Sequence, residues 1–242
     1  MRAAIVTVPG DYHSHAVAWG LRQRGVDCDL IFFTDVPQYA TVSLSPSANS
    51  DIHLATDDKV VNLATYDRFW LRRPNAMVLP ETLAPSDLQV AKSDWRDLLT
   101  AFIEIIGLTG AFCINPAGAY RLGHLKALHL DIARRRGLKI PRTLISNSAD
   151  DITHFIRANR ESGKRTIVKG FRNSSWVNEA DQRSTFSTAI IDEEKALEAD
   201  VRAAPNIFQE YVEKRLEVRL TVMGKSLFAA SIDSQKHEKS ML

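Results

Sequence analysis

The sequence predicts an α/β domain followed by an α+β domain. Residues 3–8 (AAIVTV) and 28–33 (CDLIFF) are apolar strands that flank a helical pattern, and such a strand–helix–strand unit implies a parallel sheet. Beyond about residue 140 strand patterns dominate, and Met223-Gly224-Lys225-Ser226 predicts a hairpin turn between the last two strands. The boundary is expected near residue 115, which gives domains of residues 1–115 and 116–242.

In the first domain, the helix at 14–24 is stopped by Gly25. Residues 37–58 are rich in Ser, Pro, Asn and Asp, which predicts an irregular segment with weak strands at best. DRFWLRRP (67–74) is a strand that Pro74 ends, and a long helix then begins after Asp87 and runs to about Ile106.

The strand AFCIN (111–115) ends the first domain, and the second domain begins with one long helix at 117–136. A strand at 140–147 and a helix at 150–163 with an acidic first turn follow. The remaining predicted elements are strands at 166–170, 184–191, 206–212, 217–224 and 226–233, with a short acidic helix near 193–200.

Composition and charge exclude several classes of function. The 31 basic and 29 acidic residues leave a net charge of +2, so no global field favours nucleic acid or a membrane surface. The basic run at 134–136 closes a helix, where cations meet the negative end of the helix dipole. The first apolar run ends at Pro9 and is too short for a signal peptide or a bilayer span. The two unrelated cysteines suit a reducing compartment, and a cytoplasmic location is expected.

The histidines do not form a metal motif. His13 and His15 lie in a loop without an acidic or cysteine partner, and His124 and His129, five residues apart, fall on different helix faces. No nucleophile elbow, zinc-protease motif or glycine-rich dinucleotide or phosphate loop occurs. No metal ligand and no catalytic residue is assigned.

Two lysines and one strand break are candidates for chemistry. Lys169 ends the strand TIVKG, where it could direct a cation at phosphate oxygens or face water from an edge strand. Lys126 alone is an ordinary helix lysine. The segment IFQEYVEKRLEVRLTVMG offers backbone groups to a purine edge and carboxylates to ribose hydroxyls, or is a hairpin with surface charges. One of Arg72 and Arg73 is expected to face inward, towards an interdomain partner or a substrate carboxylate.

The order of these features resembles that of the ATP-grasp ligases. A helix lysine is followed about forty residues later by a strand lysine, then by QEYV and LEVRLTVMG. The pieces WLRRP, CINPAGAYRLGHLKALHLDIARRRGLKIPRTLISN and SIDSQ are most similar to the branch that matures microviridin-type (graspetide) peptides, which is related to ligases that add glutamate to a ribosomal protein. The resemblance covers nearly the whole chain.

The resemblance implies a pre-ATP-grasp α/β domain followed by the nucleotide-binding part of an ATP-grasp domain. Lys126 and Lys169 match the two lysines that hold nucleotide phosphates. Gln209, Glu210, Tyr211 and Val212 match the linker that recognises adenine. Glu217 matches the acidic residue that takes the ribose hydroxyls.

The resemblance is incomplete in two places. Many ATP-grasp proteins carry a glycine-rich flap after the strand lysine, whereas here only Gly170 precedes F-R-N-S-S-W, so the flap is expected to be short or to use Ser174 and Ser175. The segment that carries the magnesium ligands in the family has no counterpart after Gln235, and the chain is expected to be a truncated grasp.

The resemblance implies an ATP-dependent ligase that activates a carboxylate as an acyl-phosphate and forms an amide or ester bond. ATP, magnesium and a ribosomal precursor peptide are the expected cofactors and partners, with a possible homodimer and no nucleic acid or membrane. The alternatives are a non-catalytic remnant that binds nucleotide or a leader peptide, and a small-molecule ligase of the glutathione-synthetase type.

Overall fold

The computed structural model describes residues 1–45, 51–56, 60–74, 77–171, 174–177, 183–186, 188–198 and 201–233. The chain divides into two compact units, residues 1–124 and 125–242. Residues 234–242, in which no counterpart of the family's magnesium-binding segment is expected, lie outside the described residues.

The first unit is built on a four-stranded parallel sheet with the order β2-β1-β6-β7, which confirms the predicted strand–helix–strand start. Its elements are β1 (Arg2–Thr7), α1 (Tyr12–Arg22), β2 (Asp27–Phe32), α2 (Val36–Tyr39), β3 (Ala40–Ser45), β4 (Asp51–Thr56), β5 (Val60–Asn62), β6 (Arg68–Leu71), α3 (Leu88–Leu108), β7 (Phe112–Ile114) and α4 (Ala117–Leu122).

Alternation along β1 places helices on both faces of this sheet. Ala3 and Ile5 pack in a cluster with Ala18 of α1, whereas Ala4 and Val6 pack in the main core with Phe102 of α3. Because successive strand residues point to opposite faces, α1 and α3 cover opposite sides. The first unit is therefore a three-layer α/β domain.

The prediction of an irregular segment over residues 37–58 is wrong. Strands β3, β4 and β5 form an antiparallel sheet, and Ile52 and Leu54 are buried in the main core of the first unit. The alternation Val42, Leu44 and Ile52, Leu54 supplies an apolar face that the Ser- and Asn-rich composition concealed.

Over its described residues, the second unit contains three separate sheets. Its elements are α5 (Lys126–Arg135), β8 (Thr143–Ser146), α6 (Ala149–Glu161), β9 (Thr166–Lys169), β10 (Ser174–Val177), β11 (Arg183–Phe186), β12 (Ala189–Ile191), α7 (Glu193–Glu198), β13 (Asn206–Glu210), β14 (Glu217–Met223) and β15 (Ser226–Ile232). The central sheet has the antiparallel order β12-β9-β13-β8, while β10 pairs with β11 and β14 with β15.

The two faces of the central sheet differ in chemistry. On one face, Val168 and Phe208 pack against Ile152 and Ile156 of α6. Lys169 pairs with Ile207, so strand alternation turns its side chain to the opposite face. Helix α6 therefore packs on the face opposite to the one that carries Lys169.

Two element predictions need correction. The single helix expected at 117–136 is two helices, α4 and α5, interrupted at residues 123–125. The single strand expected at 184–191 is divided between β11 and β12, which belong to different sheets. The hairpin between β14 and β15 is confirmed, and Gly224 takes the positive φ of 59° that its turn requires. The side chains of Ser174 and Ser175, proposed for the flap, lie outside the described residues.

Candidate nucleotide site

Lys169 is the last residue of β9, at the edge where the central sheet meets the start of α5. Its aliphatic stem is half-buried, as expected for a strand residue whose neighbours Ile167 and Val168 are apolar. A lysine in such a place keeps its ammonium group at the surface while the stem lies along apolar groups.

Lys126 reaches the same edge from a different element. The break between α4 and α5 makes it the first residue of α5, and its Nζ donates a 2.8 Å hydrogen bond to the carbonyl oxygen of Gly170. Because Gly170 directly follows Lys169, this bond holds the two lysines together. The structure therefore brings together two side chains that lie about forty residues apart in sequence.

The pair has the electrostatics of an anion site. Burial lowers the pKa of Lys169, and the positive charge of Lys126 lowers it further. No ion pair to either lysine is present in the described part of the chain. Two ammonium groups held close without a carboxylate between them are stabilised by an anion, because each charge raises the cost of the other.

The linker Gln209–Val212 is less open than the sequence predicted. Gln209 is 4% exposed, and its Nε2 donates a 2.8 Å hydrogen bond to Thr143 Oγ1 of β8. The backbone N–H of Glu210 donates to Arg142 O at 3.0 Å, and that of Tyr211 donates to Arg165 O at 2.8 Å. The side chain of Gln209 and two of the backbone donors are thus already engaged within the sheet.

Val212 is the linker residue that remains available. Its backbone N–H makes no hydrogen bond to the described residues, and its side chain is 50% exposed. A cavity of about 320 Å³ adjoins it, lined by residues 163–165 and 210–213. The Arg165 guanidinium lies 4.2 Å from the centroid of the Tyr211 ring, which makes a cation–π contact on that wall.

Glu217 begins β14 and is ion-paired with Lys214. Its side chain is 40% exposed, so the pair lies at the surface, where a carboxylate can exchange one partner for another. Sequence analysis found Glu217 but missed Lys214, although the three-residue spacing across the strand break was visible.

The strand register fixes how these groups are spaced. Lys169 pairs with Ile207, whereas Glu210 pairs with Thr166 at the other end of β9. Lys169 and Thr166 are three strand residues apart, which corresponds to about 10 Å. The lysine pair and the linker therefore lie at opposite ends of the β9–β13 strand pair. This arrangement suits an extended ligand with an anionic end and a flat hydrogen-bonding end.

A second cavity does not contain these groups. It has a volume of about 340 Å³ and is lined by Asn147–Asp150 and Arg202, near the start of α6. Aspartates line the first turn of that helix, which makes the cavity a poor site for phosphate.

Magnesium, which the family resemblance implies, does not fit the described residues. Within them no three His, Cys, Asp or Glu side chains are grouped where they could hold a metal ion. Mg²⁺ requires an octahedron of oxygen ligands, so no step is assigned to a protein-bound magnesium. Over the same residues, no helix combines the length and apolar character needed to cross a bilayer.

Comparison of the fold with solved structures decides the superfamily. The chain is similar to a Chryseobacterium gregarium RiPP-associated ATP-grasp ligase, solved in complex with ADP and a leader and core peptide. The TM-score is 0.82 at 25% identity, over 99% of this chain and 71% of that one. The chain has the ATP-grasp ligase fold. The resemblance and the fold class predicted from the sequence are confirmed.

Two further ATP-grasp structures match. The macrocyclase MdnC of Microcystis aeruginosa MRC, bound with precursor peptide MdnA, gives a TM-score of 0.87 at 22% identity, over 100% of this chain and 80% of that one. PsnB, complexed with minimal precursor, Mg and ADP, gives 0.62 at 19% identity, over 97% and 77%. No family model matches the sequence, and no curated protein matches it.

Proposed function

We propose that the chain binds ATP and catalyses an ATP-dependent ligation on a peptide. The observation that supports this most directly is the lysine pair: Lys126 and Lys169 are held together through Gly170, carry two positive charges and have no ion-pair partner in the described residues. The ATP-grasp fold adds support, since matched structures were solved with ADP and peptides.

In this proposal the nucleotide lies along the β9–β13 pair. The two lysines contact phosphate oxygens. The backbone N–H of Val212, which has no hydrogen-bond partner among the described residues, donates to the adenine edge. Glu217 accepts from ribose hydroxyls in exchange for Lys214. The side chain of Gln209 makes no contact with the nucleotide in this proposal, because its amide is bonded to Thr143 within the sheet. Glu210 and Tyr211 contribute backbone carbonyls, their N–H groups being engaged.

ATP supplies the leaving group that a carboxylate lacks. A carboxylate oxygen forms a bond to the γ-phosphorus while the bond from phosphorus to the bridging oxygen breaks and ADP departs. An amine or hydroxyl group then attacks the acyl carbon, loses a proton and displaces inorganic phosphate, which yields an amide or an ester. The lysines stabilise charge that shifts towards the β-phosphate as ADP forms.

A turnover assay tests this proposal. The full chain is incubated with ATP, magnesium and a synthetic peptide that contains Thr, Ser, Asp, Glu and Lys, and ADP release and peptide mass are measured. The control peptide carries Asn and Gln in place of Asp and Glu. We expect ADP release and loss of one water per bond with the acidic peptide only.

A nucleotide titration separates the alternatives. Binding of ATP without ADP release on the acidic peptide supports a nucleotide-binding protein without ligase activity. ADP release with free amino acids, but not with the peptide, supports a small-molecule ligase. Absence of any nucleotide binding would contradict the site assignment itself.

A further inference from the structure

The carboxyl edge of the parallel sheet in the first unit contains a second charged cluster. The chain leaves β1 for β2 through α1 and leaves β6 for β7 through α3, although β1 and β6 are adjacent. Adjacent strands whose connections diverge in this way mark a topological switch point. Open α/β sheets bind ligands in the crevice outside such strand ends.

Three charged residues occupy this position. Asp11 follows β1, and Arg72 and Arg73 follow β6. The backbone N–H groups of both arginines donate to the carbonyl oxygen of Val6, at 2.9 and 3.1 Å. These bonds fix the chain after β6 against the end of β1, so both guanidinium groups are held at the switch point.

Asp11 is a buried anchor for the two arginines. Its side chain is 2% exposed, and Oδ2 lies 3.3 Å from Arg72 Nε and 3.9 Å from Arg73 Nε. Oδ2 also accepts from Thr7 Oγ1 at 3.0 Å, and Oδ1 accepts from the His13 N–H at 3.3 Å. Burial alone would raise the pKa of Asp11, but these hydrogen bonds and the two arginine charges lower it, so the carboxylate is ionised.

The cluster retains an excess positive charge. One carboxylate faces two guanidinium groups, and within the described residues it is the only carboxylate within 4 Å of either. The Arg72 and Arg73 side chains are 30% and 54% exposed. One arginine would suffice to neutralise Asp11, so the second guanidinium leaves the cluster with one positive charge in excess.

We infer that this Asp11–Arg72–Arg73 cluster binds the carboxylate of an acidic side chain in the peptide substrate. The identity of the substrate rests on the proposed function, whereas the cluster and its charge do not. A guanidinium fork recognises planar oxyanions bidentately, which a lysine cannot reproduce. The arginine atoms in ion-pair contact with Asp11 Oδ2 are the two Nε atoms, at 3.3 and 3.9 Å, and in this inference the Nη atoms contact the ligand.

An NMR titration of the full chain tests this inference. The Nε–Hε signals of Arg72 and Arg73 are assigned from the single variants Arg72→Lys and Arg73→Lys. The probe is N-acetyl-glutamate amide, which carries one carboxylate, and N-acetyl-glutamine amide is its neutral control. We expect saturable shifts of both signals with the carboxylate probe and none with the neutral one. Equal shifts with both probes, or no saturation, would overturn the inference.

Two further measurements sharpen the test. Arg73→Lys keeps the charge and is expected to weaken probe binding by about tenfold or more. Arg68→Lys, at the opposite end of β6, is the matched control and is expected to bind normally. An equal loss of probe affinity in Arg73→Lys and Arg68→Lys would contradict a specific site. Inorganic phosphate forms a third titration, and phosphate binding tighter than that of the carboxylate overturns the assignment to an acidic side chain.

The outcome does not depend on the nucleotide site. ATP is absent from these titrations, and a separate ATP titration on the same sample reports on the lysine pair. Probe binding without ATP binding sustains this inference and contradicts the proposed function, and ATP binding without probe binding does the reverse.

Discussion

Lys126 donates a 2.8 Å hydrogen bond to the carbonyl oxygen of Gly170, the residue that follows Lys169. This single bond joins the start of α5 to the end of β9 and keeps two ammonium groups at one edge of the central sheet. It gives the ATP proposal a geometric basis, and the first two predictions test it.

Replacing Lys169 by Ala should weaken ATP binding about 10- to 100-fold. The reason is the loss of a charge-assisted contact to phosphate, which contributes about 1.5–3 kcal/mol. Isothermal titration calorimetry measures the affinity. Lys139→Ala is the matched control, because Lys139 is an exposed lysine of the same unit. Equal affinities for the wild type and the Lys169 variant would sink the site assignment.

As the pH rises, the affinity for ATP should begin to fall at a lower pH than it would if Lys169 had the pKa of an ordinary lysine. Burial and Lys126 lower the pKa of Lys169 in the free protein, and bound phosphates favour the ammonium form and raise it. Binding therefore takes up protons above neutral pH, below the usual lysine pKa of about 10.4. Calorimetry in two buffers of different ionisation enthalpy detects this uptake, which the Lys169→Ala variant should lack. Identical heats in both buffers, across the alkaline range, argue against the prediction.

Glu217→Ala should weaken ATP binding by about 2- to 10-fold, less than the change at Lys169. A ribose hydroxyl bonded to a surface carboxylate contributes about 0.5–1.5 kcal/mol, and Glu217 must first release Lys214. The ATP affinity of this variant is compared with that of the control variant Glu194→Ala, because Glu194 is an exposed glutamate of α7. A loss as large as that of the lysine variant would show that Glu217 does more than bind ribose.

Thr143→Val should lower stability and leave ATP affinity unchanged. The Thr143 hydroxyl accepts from Gln209 Nε2 and donates to Pro141 O, so its removal leaves a buried amide without a partner. The expected cost is about 1–3 kcal/mol in the free energy of unfolding, measured by urea titration. Thr221→Val, on the exposed face of β14, should cost little. A fall in ATP affinity under conditions where Thr143→Val is fully folded would mean that Gln209 contacts the nucleotide itself.

Asp11→Asn should destabilise the chain at neutral pH by about 1–3 kcal/mol, because it removes the anion between two arginines. The pKa of Asp11 is lowered on folding, so its carboxylate stabilises the protein above the unfolded pKa of about 3.9. That contribution is lost as pH falls through the folded pKa. The free energies of unfolding of the wild type and the variant should therefore become equal at acid pH. Asp97→Asn on α3 is the exposed control, and a difference that persists at low pH would refute the ionic explanation.

Several elements could be predicted because their signals are local. The apolar run of β1, the turn at Gly224 and the acidic start of α6 each depend on residues close in sequence. The strands β3–β5 escaped prediction, because polar residues on their outer face masked the alternation that buries Ile52. The break between α4 and α5 also escaped, since helical spacing continues through it.

The sequence by itself determined the order of Lys126, Lys169, the linker and Glu217, and hence the resemblance to ATP-grasp ligases. Tertiary structure decided which groups are available: Gln209 bonds to Thr143, Lys126 to the carbonyl oxygen of Gly170, and Asp11 pairs with two arginines after β6. The physical reason is that periodicity records only which face a residue takes. Partners distant in sequence meet through strand register and crossover connections, which depend on the packing of the whole unit.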